Sequence, residues 1–596
     1  MDNPSILRLL KPGLSLLLAA TLALGQQAPV REQSAVWGAF APEDLAKLSS
    51  EIGRPAKGDP IAAEEIDVIV QYREAPEQQV ERAIRKGAKV KGVLSNALVA
   101  RMTRQAAAEL ASDPNVVYIS PDREVSASTN EIDYSTATVN ADKALKSGFD
   151  GRGIGIAFID SGVSADNEDT FDSTCVKGAG RIVYTENFVP WDPNSWDPYG
   201  HGSHVSSIAT GNGCVAKKSG DGTYDAAPGI APAARIINLR ALDKDGKGRD
   251  SSLIAAIDRA VALRSTYNIR VMNISAGRQV RETYTKDPLC QAVERAWRAG
   301  IVVVVAAGNN GRDNSMRTNG YGTISSPGND PFVITVGAIN DRKSANKSDD
   351  ALLTFSSKGP TLIDQYAKPD LMAPGANILA SKPWATYLQT QYPNNTLTGD
   401  WTKKIPYEAY FTLSGTSMAA PMVAGAAALL LQKTPSLTPD QVKARLMKTA
   451  SKNFPSQTTW KDPATNISYT ARADIFTVGA GYLDVMAALN STDTISATQS
   501  AKSPRVRVRS DKKVETYNDT SNVPTGRSIV WGSNVVWGTN VVWGNTVLVS
   551  GSTIVWGESV VWGESTVSGY SVVWGSSVVW GSSTLFAESL SVNGEN

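Results

Sequence analysis

The sequence predicts an α/β protein: a doubly wound parallel sheet, preceded by a small ferredoxin-like α+β unit and followed by a β-rich repeat tail. Three observations carry this. Between Ala141 and Leu489, short β-branched runs ending in glycine or small polar residues alternate with helical segments, the pattern of a parallel sheet covered on both faces. Between Ile66 and Val125 the elements read β-α-β-β-α-β, the split βαβ arrangement. From Ser528 onward tryptophan returns with a period of six. At 596 residues the chain is too long for one core. It is 42% hydrophobic and 20% charged with a net charge of +1, a balance that gives no reason to expect a nucleic-acid or strongly acidic partner.

Residues 1–25 read as a secretory signal peptide. Arg8 and Lys11 precede an apolar run from Leu14 to Leu24, and small residues follow. The run is too short to span a bilayer comfortably, and no later segment is long enough to span. Export is therefore expected, to the medium, the cell surface or the periplasm, without stable membrane insertion. Residues 26–65 form a linker. In the unit 66–125, "IDVIVQY" alternates as a strand, and "PEQQVERAIRKG" sets Val80 and Ile84 on one helical face and stops at Gly87. "AKVKGVLSNALVARM" is two strands about a polar turn, "RQAAAELASD" a helix and "PNVVYIS" a closing strand. Residues 126–140 are a polar, cleavable connection.

The domain 141–489 holds the strands "GIGIAFIDSG", "RIINLRAL", "IRVMNISAG", "GIVVVVAAGN" and "FVITVGAIN", with the helices "DSSLIAAIDRAVALR" and "DPLCQAVERAWRAG" between them. Such folds bind ligands beyond the carboxyl ends of their strands, which singles out Asp160, Ser275 and Asn309. Of three cysteines, Cys175 and Cys214 flank the histidines in loop-like sequence and are the expected disulfide, leaving Cys290 as a buried thiol. Residues 490–527 are a polar linker, 528–584 the "VVWG" repeat and 585–596 a short tail. Tryptophans 531, 537, 543, 556, 562, 574 and 580 suggest a stacked β-solenoid. Its low charge and β-forming residues also suit self-association, so its expected partners are a surface, a glycan or itself.

The chain's only histidines, His201 and His204, share the stretch "YGHGSHVSSIATG". They could cap a helix, or share a metal at i and i+3, but no third histidine exists and the cysteines are poorly spaced for zinc. An imidazole can also act as a general base near pH 7, for which it needs an orienting carboxylate and a hydroxyl to activate. Asp160 ends a buried strand in "IAFIDSGV". Ser417 stands in "LSGTSMAAPMVAGAAALLL", where a glycine turn enters an apolar helix. Backbone N–H groups at that helix start, and the amide of Asn309 in "AAGNNG", could hold an oxyanion.

"FIDSGV", "HGSHV", "IAPAA", "AAGNNG" and "GTSMAAPMVAGAAALL" resemble the marker segments of the subtilisin-like serine proteases (subtilases, peptidase family S8), in the Asp-His-Ser order of that family. The resemblance spans roughly 141–489 and implies a subtilisin-like fold, with Asp160, His201 and Ser417 as the triad and Asn309 at the oxyanion. It makes His204 a buried structural neighbour with a satisfied ring. Two departures stand out: Ser203 where the family usually has Thr, and Met422 after Pro421 where many members have His.

The resemblance further implies polypeptide substrates, bound as an added strand along Ser275, Ala276 and Gly277 and flanked by Gly246 and Gly248. The first specificity pocket would lie between Ser275–Gly277 and Ala306–Gly308, small residues that favour a large apolar side chain. Asp250, near an outer pocket, would favour polar or basic residues. Catalysis would need no cofactor, while structural calcium, with Asp169 as one ligand, stays open. The unit 66–125 resembles an inhibitor-I9-like propeptide, its tail cut by the enzyme itself between Val125 and Asn130. A different class of function also stays open: a catalytically silent subtilase fold acting as a scaffold through its tryptophan repeats. An esterase is disfavoured, since "GTSMA" lacks the second glycine of the GxSxG elbow.

Overall fold

The computed structural model describes residues 60–508 apart from 123, 128–135, 173–179, 195, 215–227, 316–317, 382–384, 397–409 and 463–464. It adds a few residues between 44 and 52 and four short strands beyond 513. The expected signal peptide, most of the 26–65 linker and most of the tryptophan repeat lie outside the described residues.

The amino-terminal unit comprises β1 (Glu65–Tyr72), α1 (Val80–Arg85), β2 (Lys89–Val93), β3 (Ala97–Thr103), α2 (Arg104–Ala111) and β4 (Val116–Pro121). They pair in the sheet order β2-β3-β1-β4. α2 begins where the Thr103 side chain accepts the Ala106 N–H, an N-cap that satisfies one free helix donor. Val68 and Val70 pack with Leu98, Met102, Leu110 and Ile119 in the unit's own core. Their neighbour Ile69, on the opposite face, packs with the core of the main body. β1 is therefore buried on both faces along its second half, and the sheet docks on the rest of the chain. A further strand, β5 (Glu124–Ala127), leaves this unit and enters the main body.

The main body contains α3 (Ala141–Lys146), β6 (Gly155–Asp160), β7 (Ile182–Asn187), α4 (His201–Thr210), β8 (Arg235–Arg240), β9 (Lys247–Arg249), α5 (Asp250–Tyr267), β10 (Ile269–Ile274), β11 (Ala276–Gly277), α6 (Pro288–Arg298), β12 (Val302–Ala306), β13 (Ile334–Asn340), β14 (Ala351–Leu352) and β15 (Leu371–Pro374). The large sheet runs β14-β13-β12-β10-β6-β8-β7, with β15 also beside β13. Every pairing in it is parallel except that of β14. The order turns back around β6 and β10, and a parallel sheet places its ligand crevice at such a reversal.

Next come β16 (Ile378–Ser381), α7 (Tyr387–Gln391), β17 (Tyr410–Leu413), α8 (Thr416–Lys433), α9 (Pro439–Thr449), the hairpin of β18 (Gln457–Lys461) and β19 (Ser468–Arg472), and α10 (Val485–Asn490). α8 is buried from Thr416 to Leu431, as an all-round apolar helix must be, and packs against β10, β12 and β13.

The stretch read as a polar linker after Leu489 stays on this body as far as Val508. β20 (Arg505–Val508) begins there, Ala367 N–H donates to Pro504 O, and Val506 N–H donates to Gln365 O. Ser503 joins a buried ionic cluster: its hydroxyl donates to Asp370 (2.7 Å), which also accepts from Lys368 (2.7 Å) and lies 3.1 Å from Lys443. β20 pairs with β21 (Val514–Tyr517), and the sheet continues through β24 (Thr553–Val555), β23 (Thr546–Val549) and β22 (Val542–Trp543). All these pairings are antiparallel. The described part of the repeat is thus a set of hairpins, whereas a stacked solenoid would set successive turns parallel.

Removing one partner of a buried ion cluster leaves uncompensated charge, at a cost of about 3–5 kcal/mol. Asp370→Asn is expected to destabilise the chain by about that amount, read as a lower denaturant midpoint. Asp440→Asn, on a partly exposed helix start, should shift it far less.

Candidate active site

Asp160 is the last residue of β6, whose six residues are all buried. Its carboxylate Oδ1 lies 2.7 Å from His201 Nδ1 and accepts the Ser161 N–H at 2.7 Å. Both side chains are buried. His201 is the first residue of α4, and its ring reaches Asp160 because two glycines let the helix start approach the strand end. Gly200 has φ +99°, a left-handed conformation that favours glycine. A Cβ at Gly202 would collide with the carbonyl of Gly162 and come within 3.0 Å of the Asp160 Cβ.

One residue of this corner escaped the sequence reading. Asp197, wholly buried, accepts the N–H groups of Gly200 and Ser203 and the hydroxyl of Ser161, each at 2.8 Å. It caps the start of α4 and ties it to the residue after Asp160. Burial pushes its carboxyl upward while these three donors hold it down. The available signal was an aspartate four positions before His201 at a helix start, in "WDPYGHG". Behind the same corner, buried Arg240 ends β8 and donates to Ser161 O and to the 192–194 loop.

His204, one turn further along α4, faces away from this pair. Its Nε2 donates to Ile378 O (3.1 Å) and Phe411 O (3.0 Å), one carbonyl from each strand of the β16–β17 hairpin. Its Nδ1 is buried without a partner, so the ring expected to be satisfied is satisfied on one side only. Burial, reinforced by His201, lowers its pKa to about 3.

Ser417 is the second residue of α8. Its hydroxyl donates to Ser275 O at 3.1 Å, and the Ser275 hydroxyl donates back to Ser417 O at 2.9 Å. The second bond has a covalent origin. Pro421 has no N–H, so the Ser417 carbonyl lacks its i+4 helix partner, and the Ser275 side chain takes that place. Asn309, just beyond β12, accepts from the N–H and hydroxyl of Thr416 through Oδ1, at 3.0 and 3.1 Å. Its Nδ2 is buried without a partner. A free amide donor therefore lies beside the helix start that carries Ser417.

β9 and β11 are the edges between which β5 runs antiparallel to both. Ala127 faces Ala276 and Ser126 faces Gly277 on one side; Val125 faces Gly248 and Glu124 faces Arg249 on the other. Gly246 turns the chain into β9 at φ +72°, and a Cβ there would meet the Tyr199 ring at 2.5 Å. Asp122, just before β5, accepts the N–H and hydroxyl of Ser251 at 2.8 and 2.5 Å, at the start of α5. Burial raises its pKa to about 6, with Asp250 adding to the rise.

In the gap between Ser275–Gly277 and Ala306–Gly308, the Ser325 side chain lies against both glycines: Cβ atoms at Gly277 and Gly308 would each meet it. Asp250, expected to favour polar or basic residues near an outer pocket, is instead fully buried and bound through both oxygens by Arg278. Its charge is spent inside the protein.

Cys214 is disulfide-bonded and Cys290 is a free, buried thiol; Cys175 lies outside the described residues. At Asp169 one carboxylate oxygen and the backbone carbonyl are engaged. Tyr410 donates to its carboxylate at 3.3 Å, and the buried guanidinium of Arg181 gathers the carbonyls of Asp169, Phe171 and Ala234. A protein cation thus takes the backbone carbonyls of this corner. Among the described residues no cluster of His, Cys, Asp and Glu could hold a metal, and no helix is long and apolar enough to cross a membrane.

Residues 151–479 match the family model described as "Subtilase family". The serine protease AprX of Bacillus subtilis (strain 168) is 34% identical over 380 residues, which cover 62% of this chain and 76% of AprX. Subtilisin E of the same organism is 32% identical over 370 residues, covering 61% and 79%. The crystal structure of fervidolysin from Fervidobacterium pennivorans shares the fold, with a TM-score of 0.51 at 21% identity. The alignment covers 72% of this chain and 61% of fervidolysin, less than two thirds of its length.

A histidine kept neutral in the fold makes stability pH-dependent. The unfolded chain binds a proton at His204 below pH 6.5, whereas the folded chain holds off until about 3. This group's contribution is therefore lost as pH falls through that window, at up to about 1.4 kcal/mol per pH unit. Urea titrations at pH 7 and pH 5 should show a drop in stability for the parent chain that His204→Gln reduces.

Proposed function

This chain belongs to the subtilase family of serine endopeptidases, and from that premise we propose that it is an exported, self-processing peptidase whose reaction runs through Ser417, His201 and Asp160. The observation that carries the reading is the buried 2.7 Å contact between Asp160 Oδ1 and His201 Nδ1. A carboxylate on that nitrogen sets the tautomer that leaves Nε2 as the base. His201 takes the Ser417 hydroxyl proton as the oxygen attacks the peptide carbonyl, then returns it to the departing amine. Water hydrolyses the acyl-enzyme by the reverse proton path. Asp160 orients the imidazole and offsets its transient positive charge. The Ser417 backbone N–H, at a helix start, and the free Asn309 amide receive the oxyanion. No step calls for a metal or an organic cofactor.

The substrate enters as a strand between β9 and β11, contacting Ser275, Ala276 and Gly277 on one side and Gly246 and Gly248 on the other. In the zymogen that place is held by β5, and the unit 66–125 acts as an I9-like inhibitor and folding aid. Support comes from the β5 register and from Asp122 at the α5 start, from Gln71 donating to Lys286 O (2.9 Å) and from Ser95 donating to Asp258 (2.8 Å). Ala127 faces Ala276, the neighbour of Ser275, whose carbonyl accepts from Ser417. The cut is placed between Val125 and Asn130. Ser325 limits the depth of the first pocket, which then takes smaller side chains than its glycines alone suggest. Export rests on residues 1–25, and attachment to a surface, a glycan or another copy on the tryptophan tail.

Three outcomes are expected. The full chain without residues 1–25 loses the segment up to Val125–Asn130 on standing, by intact mass, and Ser417→Ala does not. If neither is cut and a peptide pool also survives, the scaffold reading replaces this one. Asn309→Ala lowers kcat by about 10²–10³ with little change in KM. Ser325→Gly raises the kcat/KM ratio for Phe over Ala at the first position of otherwise identical peptide anilides.

A further inference from the structure

The two strands that receive β5 belong to distant parts of the chain, and each is followed at once by one member of a buried ion pair. β9 ends at Arg249 and Asp250 comes next; β11 ends at Gly277 and Arg278 comes next. Arg278 grips Asp250 with two parallel bonds, Nε to Oδ1 and Nη2 to Oδ2, both 2.8 Å. The same Nη2 donates to Asp287 Oδ1 at 2.8 Å, and Asp287 is held by Ser326 and by the Leu289 N–H. The Arg278 backbone is pinned as well, exchanging N–H and carbonyl with Ser326 at 3.0 and 2.8 Å. Asp250 and Asp287 are fully buried, and the Arg278 side chain is 6% exposed.

A strand can slot between two others only if they stand two strand spacings apart, about 9.5 Å. β9 and β11 lie outside the main sheet, so its ladder hydrogen bonds do not set that distance. We propose that the Arg278–Asp250 pair, anchored on Asp287, is a spacer that fixes the width of the substrate slot, so that Arg278 is a positioning residue for extended peptides. The inference rests on the reading of β9 and β11 as the substrate edges. A planar guanidinium that engages a carboxylate bidentately sets both distance and orientation, and in a dry site it does so without solvent exchange. The slot is thereby formed before substrate arrives, which lowers the ordering cost of binding. Neither residue touches Ser417, His201 or Asn309 through any of these bonds, so the spacer acts on binding of the chain and not on the bond-breaking step.

The test uses the processed enzyme, its concentration set by active-site titration, with two substrates that share one leaving group. One is an acetylated single amino acid, which reaches only the first position; the other is a tetrapeptide, which fills the slot. The parent enzyme should favour the tetrapeptide strongly in kcat/KM. In Arg278→Gln and Asp250→Asn that advantage should shrink at least tenfold, mostly through KM, while single-residue turnover stays within about twofold. Arg278→Lys, which keeps charge but loses the fork, should fall between. Equal losses on both substrates, or an unchanged advantage, overturn the proposal and leave the pair a structural one. A parent enzyme with no tetrapeptide advantage overturns the reading of β9 and β11 themselves. Should Arg278→Gln fail to fold, Arg278→Lys and Asp250→Asn apply the same criterion.

Discussion

The buried contact between Asp160 and His201 is the constraint on which the rest of this structure turns. A carboxylate with little access to water is costly unless donors reach it, and here two reach the same oxygen, Oδ1. The Ser161 N–H comes from the strand end and the His201 ring from α4, while Asp197 accepts from Ser161 and the start of α4 and so holds both donors in place. Gly202 is the geometric condition for all of it, since any side chain there would strike the Gly162 carbonyl. The sheet contributes position: β6 lies between β8 and β10, so the carboxylate emerges where the strand order reverses.

A second theme is the exchange of backbone and side-chain partners around α8. Pro421 removes one helix hydrogen bond, Ser275 replaces it, and the two serines become mutually bonded. Asn309 commits its carbonyl oxygen to Thr416, and its amide stays buried with no partner. A helix imperfection and an unsatisfied amide would each count as a defect in an ordinary core. Set side by side at the end of β10 and β12, they tie the helix start to β10 and leave the Asn309 amide as a donor where negative charge can be received.

Charge elsewhere in the molecule works by holding chain segments together. Arg240 gathers the loop behind Asp160, Arg181 draws three carbonyls around Asp169, and Asp370 with Lys368 and Lys443 binds the segment that follows α10. A guanidinium presents up to five donors in one plane, so one buried arginine can fix several strands of loop that have no secondary structure of their own.

The sequence by itself determined the alternation of strands and helices, the strand-end location of Asp160, Ser275 and Asn309, the helix start at Ser417 and the strand-and-helix order of the amino-terminal unit. All of these follow from local periodicity, β-branching and glycine placement, which short windows carry. The family resemblance placed Asp250 near an outer pocket, and the same windows treated the residues after Leu489 as a linker. Tertiary structure decided otherwise, because Asp250 meets Arg278 across 28 positions and Ser503 meets Asp370 across 133. Asp197 went unread for a related reason: its role depends on Ser161, 36 residues away. Local pattern reports what a segment can form, whereas the partner of a buried charge is chosen only when distant segments are brought into one dry space.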